Sequence, residues 1–260
     1  MRGPDVRRFC NGMFSNNARD LPVGDSQRTA MLDDRGRVLG LLDVHCVADD
    51  HMVAVLEGVT ATDFCDRYAM YVVLDDVELE PLTHQVWHCP GDRPDVTGVL
   101  VAPRERGAGP GWDVVGEARS LADLPRSSGG WPELEAHRVA ACLPRYPVDF
   151  SLKQLPHEMN MREAFLHFEK GCYVGQETVN RVDVMGGVRR RLVGLSCESL
   201  PSGDAEVRDI DGKVVGRVTS PTRHPSLGAL ALCVIRKPHD EPGCRVLIGT
   251  LEGTIRATVR

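Results

Sequence analysis

The chain lacks several features that would each have announced a function. No apolar run approaches the roughly 20 residues that a membrane helix needs. The longest, Leu227 to Ile235, contains Gly228 and reads as a buried strand. The opening Met1-Arg2-Gly3-Pro4-Asp5 holds no apolar leader, so a cytoplasmic location is the simplest expectation. Positive charge is not in excess: 31 Lys and Arg stand against 37 Asp and Glu, a formal net charge of −6. That argues against a general nucleic-acid or anionic-membrane binder, since both need a basic surface. The nine cysteines form no C-x-x-C pair, which leaves a zinc ribbon or a thioredoxin-like motif without support. The nine histidines show no metal-ligand spacing, and no metal is expected. There is no internal repeat and no low-complexity segment.

What is present fits an ordinary globular chain of 260 residues, 42% apolar and 26% charged. That length can bury a sizeable core in one large or two modest domains. Val6, Phe9, Cys10, Met13 and Phe14 have helical spacing, with Asp5 placed as an N-cap after Pro4. Thr29 to Leu32 and Val38 to Val47 read as strands around the turn Asp33-Asp34-Arg35-Gly36, and Met52 to Leu56 as a third. Thr60 or Thr62 caps a following helix, and Tyr71 to Leu79 reads as a kinked strand. His84 to Leu100 is β-rich, while Arg104 to Gly111 and Ser127 to Pro132 read as connections. A helix is expected from Pro132 toward Leu143. After Gly186-Gly187 six short strand-like runs follow, separated by turns at Asp211-Gly212, Pro238, Pro242-Gly243 and Glu252-Gly253. Together they predict an α+β region over 1–186, divisible near 80–130, and a small antiparallel β-barrel over 187–260. Trp87, Trp112 and Trp131 read as packing residues, and Arg189-Arg190-Arg191 as a solvated strand edge.

The chemistry concentrates in Lys170-Gly171-Cys172-Tyr173-Val174-Gly175-Gln176-Glu177 with Arg181 behind it. Glycines bracket the cysteine where backbone must turn or approach a ligand. Gln176 to Arg181 can form a helix, with Glu177 and Arg181 four apart in the favourable order. Cys172 then stands just before a helix N-terminus and two residues from Lys170, an arrangement that favours thiolate and suits an anionic ligand group. The bland alternative is that the glycines only end one element and start the next, with Cys172 inert.

The string KGCYVGQETVNR resembles the signature of the YgfZ-type branch of the glycine-cleavage T-protein superfamily, which includes mitochondrial iron–sulfur assembly factors. GPDVRRFCNGMFSNNARDL, LDDRGRVLGLL, Pro156 with Glu158, and GRVTSPTRHPSLGALAL are similar to further parts of that family, so the likeness runs over nearly the whole chain. The resemblance implies folate-binding α+β subdomains around a central cavity, followed by the barrel. It implies tetrahydrofolate or a derivative as ligand, with Asn16, Glu158, Tyr173, Gly175, Gln176, Glu177 and Arg181 around it. Cys172 and Lys170 are implied as the reactive pair, and iron–sulfur client or assembly proteins, including tRNA-modifying ones, as partners.

The chain also departs from that pattern. Ser15-Asn16-Asn17 stands where the family carries Thr-Asn-Asp, and Ala140 stands near the expected pterin-gripping glutamate in Arg138-Val139-Ala140-Ala141-Cys142. Asp63 is the nearest candidate for a transferase aspartate and reads better as a helix-start residue. The chain begins at what is usually the family's second element. The leading expectation is therefore an accessory protein for iron–sulfur enzymes. A tetrahydrofolate-dependent aminomethyl or methyl transferase and a ligand-less interaction module are the alternatives.

Overall fold

A computed structural model describes residues 1–107, 109–122, 124, 130–250 and 253–260. Ala108, Ser127 to Gly129 and Glu252, which belong to three of the expected connections, lie outside the described residues. In chain order the elements are α1 (Val6–Met13), β1 (Ser26–Leu32), β2 (Val38–Ala48), β3 (His51–Glu57), α2 (Ala61–Tyr68), β4 (Gln85–Pro90), β5 (Leu100–Pro103) and β6 (Gly111–Gly116). Then come α3 (Ala118–Leu121), α4 (Trp131–Ala140), α5 (Arg162–Phe165), α6 (Gln176–Val184), β7 (Arg190–Cys197) and β8 (Glu206–Arg208). The chain closes with β9 (Val214–His224), β10 (Gly228–Arg236), β11 (Arg245–Thr250) and β12 (Gly253–Val259). Helices and antiparallel strands are thus mixed without a regular βαβ pattern, as an α+β fold requires. Among the described residues no helix is long and apolar enough to cross a membrane.

Contacts divide the chain into two compact units, each discontinuous in sequence. The first collects Met1–Glu105, Gly109–Arg126 and Arg162–Arg181. Its larger sheet runs β1-β2-β3, antiparallel throughout, with Thr29 opposite Leu42 and Asp43 opposite Val55. The apolar stripe of α1, Val6, Phe9 and Cys10, and its C-cap Phe14 pack with Met31, Leu42, Val44 and Met52 of the sheet and Phe64 and Tyr68 of α2. In a chain only 5% aromatic, this core draws several rings together. Phe9 and Phe14 meet Tyr68 edge-on at 5.9 and 5.6 Å, the arrangement the ring quadrupoles favour. Thr60 caps α2 by accepting from Asp63 N.

Asp5 stands at the N-cap of α1 as expected but makes no side-chain capping bond; its carboxylate accepts from Asp76 N at 3.0 Å. One expectation in this unit is corrected. The stretch Tyr71 to Leu79 is a 3-10 turn over Val72–Leu74 followed by irregular chain, with one isolated bridge from Glu78 to Arg2. Val72, Val77 and Leu79 pack at the edge of the core, but Val73 and Leu74 are 78% and 88% exposed, so the run lacks the regular buried face that rewards a strand. Asp75 and Asp76 are instead drawn to Arg8 and to the start of α1. A smaller sheet, ordered β4-β6-β5, sets His88 opposite Asp113.

The second unit, Arg106–Ala108, Ser127–Met161 and Val182–Arg260, contains a closed six-stranded barrel in the order β10-β7-β12-β11-β8-β9. Alternate residues point inward: Val193 and Leu195 from β7, Ala231, Cys233 and Ile235 from β10, and Ile255, Ala257 and Val259 from β12 fill the interior. Outside, Val139 of α4 packs on Leu192, Leu230 and Leu232. A buried polar staple fixes α4 there. Arg138 donates to both oxygens of Glu135, to Asp149 Oδ2 at 2.6 Å and to Ser220 Oγ at 2.7 Å.

Candidate functional site

The signature segment is held within the first unit by the turn that follows α1. Ser15 Oγ donates to Phe165 O at 2.7 Å, and His167 N donates to Ser15 O at 3.1 Å. Asn16 Nδ2 donates to Arg28 O at 2.8 Å and to Ala164 O at 3.3 Å, while Asn16 Oδ1 accepts from Asn17 N. The chain then reaches Lys170, which is buried and donates through Nζ to Phe14 O at 2.6 Å and Asn16 O at 2.7 Å. Val174 N donates to Gly12 O at 3.3 Å. Asn16 is therefore a fastener of this turn, with both ends of its amide occupied.

Gly175 has φ +82°, and a Cβ there would meet Asp33 O at 2.5 Å and Gly36 Cα at 3.0 Å. Gly36, with φ +72°, would carry its own Cβ into Thr178 and Gly175 O. The turn between β1 and β2 and the entry to α6 thus fit together through two glycines, each needed by both conformation and space. That interlock joins two sequence motifs that read separately as a hairpin turn and a helix start.

From Gly175 the chain enters α6, anchored by buried Val179. Cys172 is exposed, and it is the one exposed thiol among the nine cysteines. Tyr173 is 7% exposed, its hydroxyl has no hydrogen-bond partner, and burial pushes that phenol up to about 12. Its ring lies 4.8 Å from Lys170 Nζ. Burial brings the Lys170 amine down to about 7, against the opposing influence of Cys10. The lysine's bonds therefore run to the N-terminal turn, and a role in polarising the Cys172 thiol receives no contact in the structure.

On α6 the side chains of Gln176, Glu177 and Arg181 take no hydrogen-bond or ion-pair partner among the described residues, so the Glu177–Arg181 pair that the spacing allows is not formed. Asn180 Oδ1 is buried without a partner. Asn11 Oδ1, on α1, is likewise buried and unbonded. These groups form the unpaired polar inventory of this unit near the signature: amide, phenol, carboxylate and guanidinium.

Glu158 belongs to the second unit and is already engaged. Its Oε1 meets Arg190 Nε at 2.8 Å and its Oε2 accepts from Leu155 N at 3.1 Å, holding the 3-10 turn Pro156–Met159. Arg190 and Arg191 pair with Glu158 and Asp240, so this arginine run is partly tied to its own unit. Asp63 exchanges bonds with Thr60 at the start of α2, which fits the helix-start reading.

Comparison with known proteins places these features in context. Residues 190–260 match the glycine cleavage T-protein C-terminal barrel domain. The chain is 25% identical over 279 aligned positions to an aminomethyltransferase of Koribacter versatilis, a match covering 87% of this chain and 70% of that protein. Its fold is that of the glycine cleavage system aminomethyltransferase T from Bartonella henselae. The TM-score is 0.85 at 18% identity, over 100% of this chain and 81% of the other. These likenesses support the T-protein superfamily.

Proposed function

We propose that this chain is a folate-binding accessory protein of the YgfZ-type branch, which assists assembly or repair of iron–sulfur clusters in client enzymes. The observation that carries the reading is the single exposed thiol, Cys172, standing three residues before Gly175, the glycine that locks the entry to α6. A thiol in such a place is free to ligate or exchange, whereas the other eight are partly or fully buried. Client enzymes, tRNA-modifying ones among them, would meet it from solvent in the cytoplasm.

The folate part of the proposal is supported by these unpaired polar groups. A pterin presents amide-like donors and acceptors, which suit Gln176, Glu177, Asn180 and the Tyr173 hydroxyl. Arg181 suits the carboxylates of a glutamyl tail. When bound, a reduced folate would supply one-carbon or redox chemistry; the residues of α6 would bind and orient it. Calorimetric titration with 5-formyltetrahydrofolate should give a measurable affinity that falls about tenfold or more in Gln176→Ala or Glu177→Ala, the loss of one good charged or amide contact. Heat traces identical to buffer for the unmodified protein would favour an interaction module without ligand.

A second reading is a tetrahydrofolate-dependent aminomethyl or methyl transferase, favoured by the name of the Koribacter relative. Against it stand Asn17, an amide that donates to Asp20 where the family carries a carboxylate, and Ala140. Turnover of an aminomethyl donor with tetrahydrofolate by the purified protein would establish that alternative.

A further inference from the structure

The barrel carries a groove of about 740 Å³ lined by residues of β7, β12 and β11 and by Ile210. Its lining reverses the sign of the molecule. The chain carries a net charge of −6, yet Arg245 and Arg256 face this groove against one carboxylate, Glu198. Arg245 takes no partner among the described residues. Arg256 reaches Glu198 only at 4.0 Å, with the two side chains 80% and 64% exposed, a loose pair that a better acceptor can replace.

The register fixes the spacing of the two guanidinium groups. Arg245 is paired with Thr258 and Leu247 with Arg256, so the arginines are diagonal neighbours on one face of the β11–β12 hairpin. Diagonal neighbours stand about 7–8 Å apart. An extended peptide repeats side chains on one face at about 6.6 Å, so carboxylates at alternate positions match the two arginines. Leu247, opposite Arg256 and two residues along the strand from Arg245, and Ile210, 76% exposed, offer apolar surface to a flanking side chain. Arg208, opposite Leu247 on β8, is already committed to Glu206 and Gly212 O.

We propose that this groove docks an extended acidic segment of a partner protein, with alternate carboxylates on Arg245 and Arg256 and an apolar neighbour on Leu247 and Ile210. The complementarity of sign gives such a segment both specificity and a fast encounter. The proposal rests on the barrel alone and stands apart from the folate reading.

The test uses the full chain and a labelled, capped peptide of alternating glutamate and leucine, followed by fluorescence anisotropy. Arg245→Ala and Arg256→Ala should each weaken binding about tenfold, the effect of one lost charge-assisted contact. Glu198→Gln should tighten it by removing the internal competitor, and added salt should weaken it. All three positions are exposed, so unchanged thermal melting would confirm that the variants fold. Equal affinity for a glutamine–leucine peptide, or arginine variants that bind as the parent does, would overturn the proposal. So would displacement by inorganic phosphate at the peptide's own concentration, which would reveal a simple anion site.

Discussion

Asp149→Ala should lower the free energy of unfolding by about 3–5 kcal/mol, the cost of removing one partner from a buried ion pair. The carboxylate is completely buried and uses both oxygens: Oδ1 accepts from Thr219 at 2.5 Å and Ser220 at 2.7 Å, and Oδ2 from Arg138 at 2.6 Å and Arg145 N at 3.0 Å. Removing it leaves Arg138 short of one charge and the Ser220 hydroxyl without its acceptor, while Thr219 keeps only its longer bond to Leu232 O at 3.3 Å. Urea denaturation at neutral pH should show a lower midpoint with little change in slope. The double variant Arg138→Met with Asp149→Leu should recover part of the loss, because no uncompensated guanidinium remains. A loss below about 1 kcal/mol in the single variant would mean that the staple is worth no more than a surface pair.

The same staple should weaken in acid. Burial by itself would raise the Glu135 carboxyl, but the Arg138 hydrogen bond and the charges of Arg138 and Arg145 hold it below its ordinary value. A carboxyl depressed on folding contributes stability above its unfolded value, and that contribution disappears as pH falls through the folded value.

Lys170→Met should change how stability depends on alkaline pH. The amine is about 7 when folded against 10.5 in the free side chain. Between those values the unfolded chain binds the proton more tightly, so the stability of the native sequence rises with pH. The slope is about 1.4 kcal/mol per unit at most. Below about pH 7 both states carry the proton and the slope vanishes. The variant lacks this dependence, so the difference between the two proteins should open between pH 7 and 10. Matched denaturation curves at several pH values measure it directly. Parallel curves would mean that the carbonyls of Phe14 and Asn16, with the Tyr173 ring, keep the ammonium charged throughout. Methionine cannot make the tether to Phe14 O and Asn16 O, so the variant should also exchange amide hydrogens faster around Cys172.

The barrel was readable because its strands alternate. In Gly253–Val259, for example, Ile255, Ala257 and Val259 are buried and the intervening Thr254, Arg256 and Thr258 are exposed. The α6 start was readable from Gly175 followed by residues with good helical spacing. Tyr71 to Leu79 misled because its β-branched and apolar residues pack only in part, Val72, Val77 and Leu79 at the edge of the core and Val73 and Leu74 in solvent. Contacts between distant positions were beyond reach. Lys170 meets Phe14 across 156 positions and Arg138 meets Ser220 across 82, and no local pattern announces either. The interlock of Gly36 with Gly175 belongs to the same class: each glycine signals a turn, and only the fold shows that they are neighbours. At the candidate site, Asn16 and Glu158 were expected to face a ligand, and the structure commits both to local fastening.

The accessory role centred on Cys172 is tested most directly by complementation. A strain lacking this protein should regain the activity of its iron–sulfur enzymes when the native sequence is restored, and should fail to do so with Cys172→Ala at equal protein level. Cys172 is exposed, so the substitution leaves the core untouched and failure would report the thiol itself. Full recovery with Cys172→Ala would contradict the account.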